Sequence, residues 1–78
     1  MTKETEYVKT LLRILGRQDK LDLLNKSNLT DRDITMLTRR FVYGHSLKEI
    51  AYDLGIEVNS LSKAQLKAVK KLYLYLQN

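Results

Sequence analysis

The sequence predicts an all-α fold: a small bundle of three to four helices that contains a helix-turn-helix and ends in a long C-terminal helix. Two observations lead to this prediction. The 78 residues include no proline and only three glycines, Gly16, Gly44 and Gly55, which favours helices joined by short turns. Apolar residues recur at the three- and four-residue spacing that makes one face of a helix. A chain of this length has room for a single domain.

The N-terminal part, residues 1–28, is predicted to be a helical extension that packs on a helix-turn-helix domain of residues 29–78 within one compact domain. Residues 4–15 form the first predicted helix, with an apolar stripe of Tyr7, Val8, Leu11, Leu12 and Leu15. Gly16 is expected to end this helix. Residues 20–25 predict a short second helix, for which Asp19 is a candidate cap.

Two capping boxes predict where the next two helices start, because in such a box two side chains bond free backbone N–H groups. The first, Thr30 with Asp33, opens a helix of about residues 31–43, whose apolar face is Ile34, Leu37 and Phe41. The second, Ser46 with Glu49, opens a shorter helix, whose buried side is Leu47, Ile50, Ala51 and Leu54. Gly44 and Gly55 follow, at positions where a left-handed residue commonly ends a helix.

The last helix is predicted to start between Val58 and Ser60 and to run to about Leu76. At about 100° per residue, one side gathers the apolar residues Leu61, Ala64, Ala68, Leu72, Tyr75 and Leu76. The opposite side gathers the lysines Lys63, Lys67, Lys70 and Lys71. Two apolar residues, Leu66 and Tyr73, lie at the flank, and Leu74 falls among the lysines.

The net charge of +5 is concentrated at the C-terminal end. Residues 1–28 carry six Lys/Arg and four Asp/Glu, residues 29–55 carry four of each, and residues 56–78 carry four lysines against Glu57 alone. Such an excess suits a polyanion, and nucleic acid is the commonest polyanion in the cytoplasm. The alternative is that the lysines only keep a helix soluble.

The composition argues against several other classes of protein. The chain has no cysteine and a single histidine, His45, so neither a disulfide nor a metal site is predicted. No nucleophile–base pair or glycine-rich phosphate loop is visible, so we predict neither an enzyme nor a cofactor. No apolar run approaches the roughly 18 residues of a membrane span, and the charged N-terminus does not resemble a signal peptide. We therefore predict a cytoplasmic protein with no membrane contact.

The predicted short helix, its glycine turn and the last helix combine the features that a helix-turn-helix requires. Ala51 is small enough for two helices to touch, and Gly55 accepts a positive φ at the tight turn. The apolar residues that would lock the second helix across the first are Leu54, Ile56 and Leu61. That second helix would be the recognition helix, with its N-terminal residues nearest the bases of the major groove. The alternative is two helices of an ordinary bundle joined by a glycine turn.

The segment LTDRDITMLTRRFVYGHSLKEIAYDLGI, residues 29–56, resembles the start of the fourth conserved region of sigma-70 family factors. It resembles the DNA-binding domain of LuxR-type regulators almost as closely. Both families share LT-x-R-[DE] and G-x-S-x-KEIA-x-x-LGI, and the matching residues here are Leu29, Thr30, Arg32, Asp33, Gly44, Ser46, Lys48, Glu49, Ile50, Ala51, Leu54, Gly55 and Ile56. The closing KAQLKAVKKL is similar to the end of sigma domains through Lys67, Ala68, Lys71 and Leu72, so the resemblance covers residues 29–72.

The resemblance implies a bacterial or phage-like protein that binds double-stranded DNA in transcription regulation, but the start of the last helix departs from both families. Sigma-like domains place a Ser or Thr cap there, followed by arginine, glutamate and glutamine that read bases. Here Glu57, which is not a favoured cap, occupies that position, so the helix is expected to start later with Asn59 as its cap. Residues 58–63 also contain no arginine. Strong guanine reading is therefore not expected, because arginine makes the commonest bidentate contact with guanine.

Nine residues are candidates for DNA contact. Asn59 would bond adenine through its amide, and Lys63 would reach a base edge or a phosphate. The others would contact bases or phosphates: Ser60, Ser62, Lys67, Lys70, Arg39, Arg40 and Lys48. Simpler interpretations stay open, in which Asn59 only caps the helix and the two arginines pair with acidic residues. His45 is expected to be a solvated loop residue, and three tyrosines are expected to pack at the edge of the core: Tyr52, Tyr73 and Tyr75.

A second function stands beside DNA binding: a protein-interaction module that docks on RNA polymerase or another regulator without reading bases. The missing arginines favour this module, and the basic side of the last helix favours DNA. Leu66, Tyr73 and Leu74 would form an apolar patch for such docking or for a homodimer, unless residues 4–15 cover them. An amphipathic helix on a membrane surface, residues 59–76, is a further alternative.

Overall fold

The computed structural model describes residues 3–77 and confirms the all-α prediction. It contains five helices in this part of the chain: α1 (Lys3–Ile14), α2 (Arg17–Lys26), α3 (Asp31–Phe41), α4 (Leu47–Leu54) and α5 (Val58–Gln77). No strand occurs among the same residues. The predicted ranges 1–28 and 29–78 also include Met1, Thr2 and Asn78, which lie outside the described residues.

The second helix is longer than predicted. α2 has ten residues instead of six and begins at Arg17. The prediction that Asp19 caps it is wrong, because the cap position is occupied by Gly16, whose backbone is extended (φ -67°, ψ 165°). Asp19 lies in the first turn, where its carboxylate faces the positive end of the helix dipole. Lys20 then fixes α2 to the end of α3, because its Nζ donates to the carbonyl oxygen of Phe41 at 2.9 Å.

The third helix starts where the sequence predicts. The hydroxyl of Thr30 accepts the backbone N–H of Asp33 at 3.2 Å. The Asp33 carboxylate does not complete the capping box but lies 3.9 Å from Lys71 Nζ. α3 ends two residues before the predicted Tyr43, whose N–H bonds back to the carbonyl of residue 38 at 3.2 Å. Gly44 has the expected left-handed backbone, with φ 73°.

The fourth helix carries both of its predicted end signals. The Ser46 hydroxyl accepts the N–H of Glu49, and the Glu49 carboxylate accepts the N–H of Ser46, each at 3.1 Å. This reciprocal pair is a complete capping box. At the other end Gly55 has φ 69°, which a residue with a side chain rarely adopts.

The last helix begins earlier than its expected cap. α5 starts at Val58, and the carbonyl oxygen of Glu57 accepts the N–H of Leu61 at 3.0 Å. Glu57 therefore holds the cap position of the backbone. The prediction that Asn59 caps α5 is wrong, because Asn59 is the second residue inside the helix.

One core joins all five helices. Its buried apolar residues are Val8, Leu12, Leu24, Leu29, Met36, Leu37, Ile50, Ala51, Leu61, Ala68, Val69 and Leu72. α3, α4 and α5 contact one another, while α1 packs on α5 and α2 packs on α3. The predicted boundary between residues 28 and 29 therefore does not separate two cores.

The buried set is wider than the predicted apolar faces. Six buried residues lie outside those faces: Thr5, Leu24, Leu29, Met36, Gln65 and Val69. Met36, Gln65 and Val69 are among them because α3 and α5 each contact three other helices and so bury more than one stripe. Two predicted core residues are more exposed than expected. Leu54 is 36% exposed because it is the last residue of α4, and half of Tyr7 stays in solvent at the edge of the core.

We expect Leu12→Ala to lower the free energy of unfolding by about 2–5 kcal/mol, because the Leu12 side chain is fully buried and its truncation leaves a cavity. Ile14→Ala is the matched control on the same helix, since Ile14 is largely exposed and should change stability by less than about 0.5 kcal/mol. Urea unfolding followed by circular dichroism measures both values. If Leu12→Ala left the free energy of unfolding unchanged, α1 would not belong to the core.

Candidate nucleic-acid interface

α4 and α5 are joined by the tight left-handed turn that the predicted helix-turn-helix requires. The buried Ala51 accepts the N–H of Ile56 at 3.0 Å through its carbonyl oxygen, and Tyr52 accepts the N–H of Gly55 at 3.2 Å. These two bonds close the end of α4 around the left-handed glycine. Ile56 packs against the core, and α5 is in contact with α4. The turn thus sets the direction in which α5 leaves α4.

The exposed side of α5 is basic, as predicted. We call Lys63, Lys67 and Lys70 the lysine face, because all three are exposed and lie on one side of the helix. None of them forms a hydrogen bond or an ion pair within residues 3–77. Lys71 lies at the border of this face, beside Asp33. The lysine face is therefore an unneutralised positive strip.

The first turn of α5 presents small and polar side chains to solvent. Val58, Asn59 and Ser60 are exposed, and Ser62 is half-buried. Because Asn59 is inside the helix, its side chain does not cap the backbone, and its amide has no partner among the described residues. Its donors and acceptor are therefore available to a ligand.

Arg39 is held by protein groups instead of standing free. Its Nε donates to Nδ1 of His45 at 3.0 Å, and its Nη2 donates to the carboxylate of Asp53 at 2.6 Å. The alternative that this arginine pairs with an acidic residue is thus confirmed. The two bonds tie the last turn of α3 to α4, so Arg39 orients α4, and a phosphate would have to compete with Asp53.

Arg40 and His45 complete this link. The Nη1 of Arg40 donates to the carbonyl oxygen of His45 at 3.3 Å, while its Nε is buried without a partner in residues 3–77. The expectation that His45 is a solvated loop residue is wrong, because both arginines bond to it and its ring lies 6.0 Å from that of Tyr43. No sequence pattern indicated this contact, which joins residues across the end of α3.

Lys48 is exposed in the first turn of α4, next to the capping box. In that box the backbone N–H of Ser46 donates to the Glu49 carboxylate. This bond, followed by the bond with the Ser46 side chain, lowers the pKa of Glu49 below its ordinary value of 4.5. Lys48 therefore stands beside a carboxylate that is ionised at neutral pH, and this reduces the positive potential at this end of α4.

The predicted apolar patch on α5 is only partly covered by α1. Tyr73 packs against the core and meets the Tyr7 ring edge-on, with ring centres 5.9 Å apart. Leu66 and Leu74 remain 43% and 57% exposed. Two separate leucines therefore face solvent beside the lysines.

The three tyrosines expected at the edge of the core do not behave alike. Tyr73 and Tyr75 pack there, as predicted. Tyr52 is 86% exposed, so the prediction for this residue is wrong. It lies on the side of α4 opposite the buried Ile50, and helical periodicity alone would have placed it outside.

Other kinds of site have no support in the described residues. Within residues 3–77 no group of three or more His, Cys, Asp or Glu could hold a metal ion. None of the helices in that range is long and apolar enough to cross a membrane. The chain matches no protein-family model, and no curated protein or solved structure is significantly similar to it. The resemblance to sigma-70 and LuxR-type domains therefore rests on its motif residues alone.

We expect Glu49→Gln to make stability less sensitive to acid. Because the pKa of Glu49 is lowered in the folded protein, the carboxylate stabilises the fold above pH 4.5, and this contribution is lost as the pH falls through the lowered pKa. Urea unfolding from pH 7 down to about pH 3 should show a steeper loss in the parent chain than in the variant.

The matched control for this series is Glu6→Gln, which removes an exposed acid from the first turn of α1. It should follow the profile of the parent chain. If Glu49→Gln followed that profile too, the capping box would contribute nothing to the acid sensitivity of the fold.

Proposed function

We propose that this protein binds double-stranded DNA in transcription regulation, with α5 as a recognition helix in the major groove. One observation carries the proposal: the helix that follows the left-handed turn exposes both an uncharged polar start and the lysine face. A recognition helix places its first residues against base edges, and basic residues further along can reach phosphates. This is a binding role in the cytoplasm, without catalysis.

The spacing of the lysine face suits a strand of phosphates. Lys63 and Lys70 are seven residues apart, or roughly 10 Å along the helix axis. Lysines this far apart on one side of a helix can each reach a different phosphate along the edge of the groove. Each phosphate that a lysine neutralises releases counterions, so binding through this face weakens as salt is added.

Other cations of the chain support the site less directly. Lys48 is exposed and would add a phosphate contact at the start of α4. Arg39 and Arg40 act mainly by fixing α4 relative to α3 through His45. We therefore assign them a positioning role in DNA binding rather than a direct one.

A single module that makes few phosphate contacts binds DNA weakly, and added salt readily dissociates the complex. We propose that a second copy of the chain or a larger protein such as RNA polymerase supplies the missing affinity. The two leucines beside the lysine face, Leu66 and Leu74, are the apolar residues available for such a contact.

A second candidate function is docking on RNA polymerase or another regulator without base reading. The exposed leucines of α5 favour it, and so does the lack of arginine in that helix. The unneutralised lysine face favours DNA, because a protein partner would have to supply matching acidic groups. A salt-sensitive complex with duplex DNA distinguishes the two candidates.

We expect the double variant Lys63→Glu, Lys67→Glu to abolish DNA binding while the helical fold stays intact. Both side chains are exposed, so the change reverses the charge of the lysine face without touching the core. Fluorescence anisotropy with a short duplex at low salt measures binding, and circular dichroism checks the fold.

The matched control is Lys26→Glu, Arg32→Glu, which changes the net charge equally at exposed positions of α2 and α3. It should keep most of the affinity. In the milder variant Lys63→Ala, Lys67→Ala, the slope of log affinity against log salt should fall by about 2. Equal losses in the reversal and control pairs would show that only net charge matters and would refute docking through the lysine face.

A further inference from the structure

One stripe of α5 combines an unusual set of side chains. At about 100° per residue, Val58, Asn59, Ser62, Lys63 and Leu66 lie along one side of the first half of the helix, next to the lysine face. Four of them are exposed and Ser62 is half-buried. In a helix-turn-helix this first half of the recognition helix is the part that meets the base edges.

The stripe lacks most of the groups that recognise G·C pairs. Guanine is read chiefly by arginine or lysine and cytosine by aspartate or glutamate, whereas adenine is read by asparagine or glutamine and the thymine methyl by apolar side chains. The stripe contains no arginine and no acid. It does contain one asparagine amide, Asn59, and two exposed apolar side chains, Val58 and Leu66.

Asn59 has no structural role among the described residues. Asparagine is a poor residue inside a helix and a good one at its cap, but Asn59 lies one residue past the start and leaves its amide without a partner in residues 3–77. Its neighbour Val58 is also a weak helix former, and 42% of it stays exposed. Such departures from local preference are expected where side chains serve a ligand.

We propose that this stripe reads an A·T base pair in the major groove. The amide of Asn59 accepts from adenine N6 and donates to adenine N7, and the methyl groups of Val58 contact the thymine methyl of the same or the adjoining pair. Lys63 then holds a neighbouring phosphate. This inference rests on the proposed DNA-binding function and adds its base preference.

The test begins with a pool of duplexes whose central positions, about ten base pairs, are randomised. Duplexes that bind the protein at low salt are isolated from this pool and sequenced. The enriched duplex is then resynthesised in two forms: one with uracil in place of thymine, which removes the methyl group, and one with 7-deazaadenine in place of adenine, which removes N7. We expect A·T pairs to be enriched and each replacement at the contacted pair to weaken binding, by roughly fivefold or more for the adenine contact.

Variants link each replacement to its side chain. Asn59→Ala should bind the 7-deazaadenine duplex and the unmodified duplex with equal affinity. Val58→Ala should bind the uracil duplex and the unmodified duplex with equal affinity. The control Asn25→Ala removes an exposed asparagine from α2 and should keep both sensitivities of the parent chain.

The outcomes separate this inference from the proposed function. Enrichment of G·C pairs, or salt-sensitive binding with no enrichment at all, would overturn the A·T assignment and leave DNA binding in place. The A·T assignment would also be overturned if A·T pairs were enriched but neither base replacement weakened binding. No binding to any duplex at low salt would refute the proposed function, and the A·T assignment with it.

Discussion

The left-handed turn at Gly55 is the constraint on which the arrangement of α4 and α5 depends. A Cβ built on this glycine meets no atom within 4 Å, so space does not exclude a side chain there. What excludes it is the backbone, since φ is 69° and an L-residue in this conformation costs about 1–2 kcal/mol. Gly55 sits between the buried Ala51 and the packed Ile56, and together they set the direction of α5.

The long helix has two roles because two of its sides have different neighbours. Its apolar side closes the core against α1, α3 and α4, so α5 could not be removed without unfolding the domain. Its other side carries the lysine face and the uncharged first turn. A helix that is anchored along its length holds the backbone of these residues in place, which limits the entropy lost on binding to that of the side chains.

The positive charges of the chain are divided between structure and surface. Lys20, Arg39 and Arg40 bond to protein oxygen or nitrogen atoms around the end of α3, and Arg17 lies over the ring of Tyr43, 5.1 Å from its centre. These cations complement the negative end of a helix and tie three helices together. Within residues 3–77, unpaired cations also occur on other helices, such as Lys26 and Arg32, but Lys63, Lys67 and Lys70 share one side of a single helix. Net charge alone is therefore a poor guide to the binding surface.

Local signals were enough to predict the ends of α4 and the lysine face. The capping box of Ser46 and the left-handed Gly55 depend only on neighbours in the chain, and helical periodicity fixes which lysines share a side. The burial of Val69 was not predicted, because it depends on packing against helices that are distant in sequence. The length of α2 was missed because Gly16 rather than Asp19 caps it, and the link from Arg39 to His45 was missed because it depends on how two side chains meet across the turn after α3. The expected cap at Asn59 is wrong because the environment of this residue depends on where α5 begins, and the backbone begins the helix at Val58.

The most direct test of DNA binding is an amide NMR titration of the chain with a short mixed-sequence duplex, at low salt and again at higher salt. We expect the shifts to cluster between Asn59 and Lys70 and to fade as salt is added, because the contacts are mainly with phosphates. An absence of shifts at low salt, or shifts confined to α1 and α2, would contradict the placement of α5 in the groove.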